Sequence, residues 1–163
     1  MRILALDPSG TSTTGIFCFE NWSKWQITSF TSENWLEQAK NLQELVKKEK
    51  VEIIACEVSQ LWQKQRFNYH FDNLIKLVGV IEWLAQELGI EYVPVNNNYM
   101  GRWEAEAKAG KIAGLTCREV TGKGRPKQQW CFKDQELNEH EKDAVLIFWI
   151  YWVKFRKQDW PFA

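Results

Sequence analysis

Three isolated acidic residues stand where apolar segments of this chain end or begin. Asp7 closes the first apolar run of the chain, Glu57 closes a second run (residues 53–56), and Asp143 directly precedes the apolar segment 144–153. Carboxylates are seldom buried unless they are paired or bound to a metal. The positions of these acids therefore predict a site that gathers divalent cations.

These residues would meet if the two predicted strands that carry Asp7 and Glu57 are neighbours in the sheet. Asp7 and Glu57 each end a predicted strand, and sites in open α/β sheets form outside the carboxyl ends of strands. His140 and Asp143 are three residues apart on a predicted helix, so they share one face. The four residues are the predicted catalytic metal ligands. Hard oxygen ligands favour Mg²⁺, with Mn²⁺ as a substitute, and two such ions can activate a water and stabilise the leaving oxygen of a phosphodiester.

Each predicted ligand also has an ordinary structural role as its alternative. Asp7 can cap the turn that follows it, and Asp143 can be an acid that interacts with a helix dipole. Glu57 can pair with Lys64 or Arg66, and the histidine can lie at the surface. Two neighbouring glutamates are alternative ligands if the phase of the helix differs: Glu139 and Glu141.

The hydrophobic pattern predicts five strands and four helices around these residues. The predicted strands cover residues 2–7, 15–20, 22–30, 52–57 and 90–95. The predicted helices cover residues 32–50 (with Ser32 as the N-cap), 71–88, 99–109 and 138–155. The segment 114–129, rich in Gly, Thr and basic residues, is predicted to be a loop with one helical turn. This order predicts an α/β fold with a mixed five-stranded sheet, an antiparallel meander followed by parallel strands, and helices on both faces.

Length and composition are those of one globular domain over residues 1–163. Hydrophobic residues make up 45% and charged residues 26% of the chain, and the net charge is zero. The segment Lys108–Lys133 nevertheless holds seven basic residues and one acidic residue, and the adjoining Asp134–Asp143 holds five acidic residues and one basic residue. This pattern is compatible with a phosphate substrate beside cation-binding carboxylates, or with two solvated surfaces of opposite sign.

The remaining features indicate a cytoplasmic protein without a membrane span. The four cysteines lack CxxC spacing, so neither a zinc motif nor a disulfide framework is expected. The first strand begins at once, which leaves no room for a signal peptide. The apolar run 144–153 is shorter than the ~20 residues that a bilayer requires.

A polar and aromatic segment, residues 58–69, follows the second acid. Trp62 and Phe67 are interleaved with basic and amide side chains, among them Arg66. Such a mixture suits stacking on unpaired bases beside phosphate contacts. Packing of this segment on the sheet or on a second subunit is the alternative.

Together these motifs resemble the RuvC family of Holliday-junction resolvases, within the ribonuclease H-like superfamily. The resemblance covers nearly the whole chain in order. It is carried by six segments: Asp7 with Gly10-Thr11-x-x-Thr14-Gly15, Ile54–Glu57, Leu77–Ile81, Gly89–Val95, Gly122–Lys127 and His140-x-x-Asp143-Ala144. The sequence departs from the family in having Gln60 where an aromatic residue is expected, and the Asn96–Asn98 cluster where a lysine is expected.

The resemblance implies a Mg²⁺-dependent homodimeric endonuclease that makes paired nicks in branched DNA. It implies that Asp7, Glu57, His140 and Asp143 are the catalytic metal ligands. It also implies phosphate contacts from four basic residues: Lys111, Lys123, Arg125 and Lys127.

Three other functions compete with this interpretation. A related nuclease of the same fold would act on RNA–DNA hybrids or replication forks. An ATPase domain of the actin and sugar-kinase type also opens with an Asp and a Gly-Thr turn, but it needs two such domains and lacks the His-x-x-Asp helix. A catalytically silent relative would only bind structured nucleic acid, and the three intact acids argue against that possibility.

Overall fold

The sequence folds around a five-stranded mixed sheet in the computed structural model, which describes residues 1–58, 69–96, 98, 100–121 and 127–162. The strands of this sheet are β1 (Ile3–Asp7), β2 (Thr13–Asn21), β3 (Lys24–Thr31), β4 (Ile53–Val58) and β5 (Glu91–Asn96). Their spatial order is β3-β2-β1-β4-β5. The first three strands are antiparallel, and β4 and β5 join them in parallel. The predicted sheet is therefore confirmed.

Four helices cover the two faces of this sheet. They are α1 (Trp35–Glu49), α2 (Tyr69–Glu87), α3 (Met100–Lys108) and α4 (Glu139–Trp149). The last helix continues through Ile150–Phe155 with wider, π-type turns. The predicted helices are confirmed, except that Asn34 rather than Ser32 caps α1: the Asn34 side chain accepts a hydrogen bond from the Leu36 amide. Ser32 instead donates to Glu37.

Alternation along the strands divides the core between the two faces. Leu4 and Leu6 pack with α1 and α2, whereas Ile3 and Ala5 pack with α4. Successive side chains of a strand point to opposite faces of the sheet. Every odd-numbered residue of β1, including Asp7, therefore faces α4.

The prediction of a loop at 114–129 was wrong over most of its length. Two strands, β6 (Leu115–Val120) and β7 (Lys127–Phe132), pair antiparallel, and β8 (Gln135–Leu137) joins β7 to complete a second, three-stranded sheet. Apolar side chains from this sheet enter the core cluster around α4: Leu115, Trp130, Phe132 and Leu137. The alternation of large apolar residues with polar ones in 127–132 is the strand signal that the basic composition obscured.

Among the described residues, no helix is long and apolar enough to cross a membrane.

Candidate active site

The strand register brings Asp7 and Glu57 to one edge of the main sheet. Strands β1 and β4 are parallel neighbours, and Leu6 pairs with Cys56. Asp7 and Glu57 are each the next residue along, and each lies at the carboxyl end of its strand. Glu57 has the same odd parity as Ile53 and Ala55, which pack on the α4 side. The two carboxyl groups therefore face the same helix.

A close contact at Gly15 brings α4 onto these acids. Gly15 pairs with Asp7 in the register of β1 and β2. A Cβ atom added at Gly15 would overlap the backbone carbonyl group of His140. Only a residue without a side chain permits this approach. As a result, His140 Nδ1 lies 2.7 Å from Asp7 Oδ2.

The first turn of α4 is fixed by a capping box. The Asn138 side chain accepts a hydrogen bond from the Glu141 amide, and the Glu141 side chain accepts one from the Asn138 amide. Glu141 also accepts a hydrogen bond from the Ser29 hydroxyl on β3. Since each such pair satisfies free helix-end donors, Glu141 has a structural role.

The turn after Asp7 is held by a buried glutamine from α1. Gln38 Nε2 donates to the carbonyl oxygens of Ser12 and Ser32, both at 2.8 Å, and Gln38 Oε1 accepts a hydrogen bond from the Thr14 hydroxyl. Thr14 Oγ1 in turn accepts from the Ser9 amide at 3.0 Å. These contacts fix the backbone directly beyond Asp7 without using its carboxylate.

The acids at this edge repel one another. Burial first, and then the negative charges of Asp7 and Asp143, raise the pKa of Glu57 from 4.5 to about 8. Burial, opposed by Lys142 and assisted by the charge of Asp7, raises the pKa of Asp143 to about 6. A carboxyl group responds in this way when a like charge lies close by in a poorly solvated place. The carboxyl groups of Asp7, Glu57 and Asp143 are therefore close enough to interact.

A histidine and a lysine already contact members of this group. The hydrogen bond to Asp7 raises the pKa of His140 above 6.5, against the opposing effect of burial. Lys142 Nζ lies 3.0 Å from Asp143 Oδ1. Burial alone would lower the pKa of Lys142, but its carboxylate partners, Asp143 first among them, outweigh burial and raise that pKa.

The types of residue at this edge suit a hard divalent cation. Three carboxyl groups and one imidazole converge, and each raised carboxyl pKa marks a place where a nearby positive charge would be stabilising. Across the described residues, however, no three His, Cys, Asp or Glu side chains are already arranged as a set of metal ligands. The contact of His140 with Asp7 is the interaction with which an ion would compete.

The predicted DNA-contacting residues are only partly described. Trp62, Arg66, Phe67, Lys123 and Arg125 lie outside the described residues. Lys127 is exposed at the start of β7. Lys111 Nζ lies 2.8 Å from Glu106 Oε2, so its charge is partly compensated.

Sequence analysis overlooked three residues next to this site. Lys142 is buried, but in the sequence it stands among the charged residues that open α4, so nothing marked it as a buried residue. Its partner Glu104 carried no signal either. His70, on the first turn of α2, lies 2.6 Å (Nδ1) from the hydroxyl of Thr11 in the turn after Asp7.

Comparison with known proteins identifies the fold. The sequence matches no protein-family model and no curated protein sequence. The structure is similar to RuvC of Thermus thermophilus in complex with a Holliday junction substrate, with a TM-score of 0.60 and 14% identity over 93% of this chain and 94% of that one. A second structure of Thermus thermophilus RuvC gives a TM-score of 0.52 and 15% identity over 93% and 95% of the two chains. The chain has the RuvC-like, ribonuclease H-like fold. At this level of identity the likeness concerns the fold, so the activity has to be argued from the site.

Proposed function

We propose that this protein is a divalent-metal-dependent endodeoxyribonuclease that resolves Holliday junctions or related branched DNA by making paired nicks. One observation carries the proposal: Asp7, Glu57 and Asp143, far apart in sequence, interact at the carboxyl edge of β1 and β4, with His140 on Asp7. The fold is that of RuvC, and one of the two RuvC structures holds a Holliday junction substrate.

In the proposed mechanism, Asp7, Glu57, Asp143 and His140 would hold Mg²⁺, or Mn²⁺ in its place. The ion, when bound, supplies a nucleophilic hydroxide and stabilises charge on the scissile phosphate. Because their pKa values are raised, Glu57 and Asp143 would hold a cation more strongly as the pH rises. The buried strand ends keep the carboxyl groups in place, and the Gln38 contacts hold the adjoining turn.

The basic residues that follow α3 would bind the DNA backbone. Lys127 is exposed at the end of the described β6–β7 ladder, where it pairs with Val120. Lys111, Lys123 and Arg125 would add charge on the same stretch of chain, with Trp62, Arg66 and Phe67 from the segment before α2. Contacts of this kind set affinity and position rather than sequence preference.

A homodimer follows from the proposed chemistry, since two symmetric nicks need two active sites. The outward side of α2 offers a surface for the second copy. Ile75 and Trp83 are 39% and 54% exposed, and Gly79 between them has open space above it. Residues four apart share a helix face, so these three form one apolar stripe. Trp83→Glu is expected to convert a dimer into a monomer in sedimentation equilibrium.

Cleavage assays on defined substrates test the proposal. Labelled four-way junction, fork, linear duplex and RNA–DNA hybrid are incubated with the protein in Mg²⁺, in Mn²⁺ and in EDTA. Paired nicks near the branch point that require the metal are expected, and Asp7→Asn should abolish them. Glu44→Gln, on the exposed side of α1, is the matched control and should cleave normally.

Other outcomes of the same assay would indicate a different function. Cleavage of the hybrid alone would identify a different ribonuclease H-like nuclease, and cleavage of the fork alone would identify a fork nuclease. Cleavage that survives in Asp7→Asn would overturn the site itself.

A further inference from the structure

Lys142 occupies an unusual place beside the proposed metal site. It lies on α4 between His140 and Asp143, and only 3% of its side chain is exposed. Its Nζ atom lies 5.4 Å from the ring centroid of Trp130, which belongs to β7 of the second sheet. Lysine is almost never fully buried unless it is paired. The ion pairs of Lys142 therefore indicate its role.

Three carboxylates surround the ammonium group of Lys142. Nζ lies 3.0 Å from Glu104 Oε2, 2.9 Å from Glu139 Oε2 and 3.0 Å from Asp143 Oδ1. An ammonium group has three N–H donors, and each of them has an acceptor here. Lys142 is thus committed to protein carboxylates and has no donor left for a substrate phosphate.

Glu104, the partner of Lys142 on α3, is itself held by a second ion pair. The other carboxylate oxygen of Glu104, Oε1, lies 2.7 Å from Lys108 Nζ, one helical turn further along α3. Glu104 is therefore held by two lysines. Through Glu104 and Lys142, α3 is connected to Asp143.

The contact with Lys142 limits how Asp143 can bind a cation. With Oδ1 engaged by Lys142, Asp143 can offer one oxygen to an ion without breaking the ion pair. Mg²⁺ takes six ligands in a tight octahedron and commonly takes one oxygen from each carboxylate, whereas Ca²⁺ takes six to eight and often takes both oxygens. An arrangement that withholds one oxygen disfavours Ca²⁺ more than Mg²⁺.

We propose that Lys142 is a positioning residue that holds Asp143 as a one-oxygen ligand and thereby makes the site selective for Mg²⁺ over Ca²⁺. This inference rests on the proposed function, since it takes Asp143 to be a metal ligand. Lys142 itself touches neither metal nor substrate in the proposed role.

Metal binding by the full chain, without DNA, tests the inference. Calorimetric titrations with Mg²⁺ and with Ca²⁺ are compared for the natural protein and Lys142→Met, which keeps the length and apolar stem of the side chain. The ratio of Ca²⁺ to Mg²⁺ affinity is expected to rise roughly tenfold in Lys142→Met. Lys142→Arg keeps a donor to Asp143 and should keep the natural ratio.

Two further variants exclude simpler explanations. Loss of the lysine leaves the carboxylates of Glu104, Glu139 and Asp143 close together, and this cluster can itself attract Ca²⁺. The double variant Glu104→Gln with Lys142→Met removes one of these carboxylates. It should still show a raised ratio of Ca²⁺ to Mg²⁺ affinity. Glu104→Gln alone loosens Lys142 from α3 and should raise the ratio by a smaller factor. It serves as the test if Lys142→Met does not fold, as judged by circular dichroism.

The outcomes separate the two proposals. If Asp7→Asn binds Mg²⁺ as well as the natural protein does, the metal site and the proposed function both fail. If Asp7→Asn loses binding but the Lys142 and Glu104 variants keep the natural ratio, only the inference about Lys142 is overturned. An equal fall in both affinities would indicate a purely structural role and would also overturn it.

Discussion

The substitution Glu57→Gln should stabilise the metal-free protein at neutral pH. The pKa of Glu57 is raised from 4.5 to about 8, first by burial and then by the charges of Asp7 and Asp143. The folded state therefore binds a proton that the unfolded state releases between these two values. Stability conferred by the natural residue falls as the pH rises through this window, because the folded state binds more protons there.

The size of the effect follows from the width of that window. A pH of 7.5 lies about three units above the ordinary pKa of a glutamate. Keeping Glu57 protonated in the folded state over that range costs at most about 4 kcal/mol of folding free energy. Relaxation of neighbouring carboxyl groups reduces this figure, so we expect a gain of about 2 kcal/mol for Glu57→Gln. For a domain of this length the melting temperature should rise by about 4–8 °C.

Thermal unfolding in EDTA at pH 5.0 and 7.5 measures the effect. The gain of Glu57→Gln should be present at pH 7.5 and roughly fivefold smaller at pH 5.0, which lies only just above the ordinary pKa of 4.5. Glu44→Gln should change neither value. Saturating Mg²⁺ should stabilise the natural protein more than the variant, since ligand binding to the folded state adds stability. A gain of equal size at both pH values, or a loss at pH 7.5, would refute the reasoning.

Three further predictions concern Gly15, Asp7 and Lys127. Gly15→Ala should cost about 2–4 kcal/mol in chemical denaturation and abolish cleavage, because its methyl group overlaps the His140 carbonyl; Gly101→Ala, with open space around it, should do neither. Asp7→Asn should lower the pKa of His140 in an NMR titration, since the hydrogen bond to Asp7 raises it; an unchanged pKa would contradict the contact. Lys127→Ala should weaken junction binding and reduce the salt-dependence slope by about one, whereas a change in affinity with an unchanged slope would argue against a phosphate contact.

The sequence predicted the main sheet because its apolar runs were short, strongly patterned and bounded by turns. Asp7 and Glu57 marked the ends of two such runs, and the crossover helix between β3 and β4 predicted that β4 pairs in parallel. The sequence did not predict that β1 and β4 are neighbours; the structure shows this pairing. The confirmed sheet shows how far local patterns reach.

The second sheet and the role of Lys142 were not predicted for a different reason. Residues 115–120 and 127–132 have ordinary strand patterns, but their basic and polar residues dominate the composition. Glu104 and Lys142 are 38 positions apart in the chain. Only the packing of α3 against α4 brings them together, and no local spacing encodes that contact.

The β6–β7 hairpin differs sharply between its two ends. Its base is tied into the interior, where Leu115 pairs with Phe132 and Trp130 lies under Lys142. Its far end is exposed at Val120 and Lys127. Residues at the base are therefore constrained by the packing around Lys142, whereas those at the far end can be exchanged without disturbing it. In a nuclease of the proposed kind, exchange of Val120 or Lys127 would alter nucleic-acid preference while the metal-binding acids stay in place.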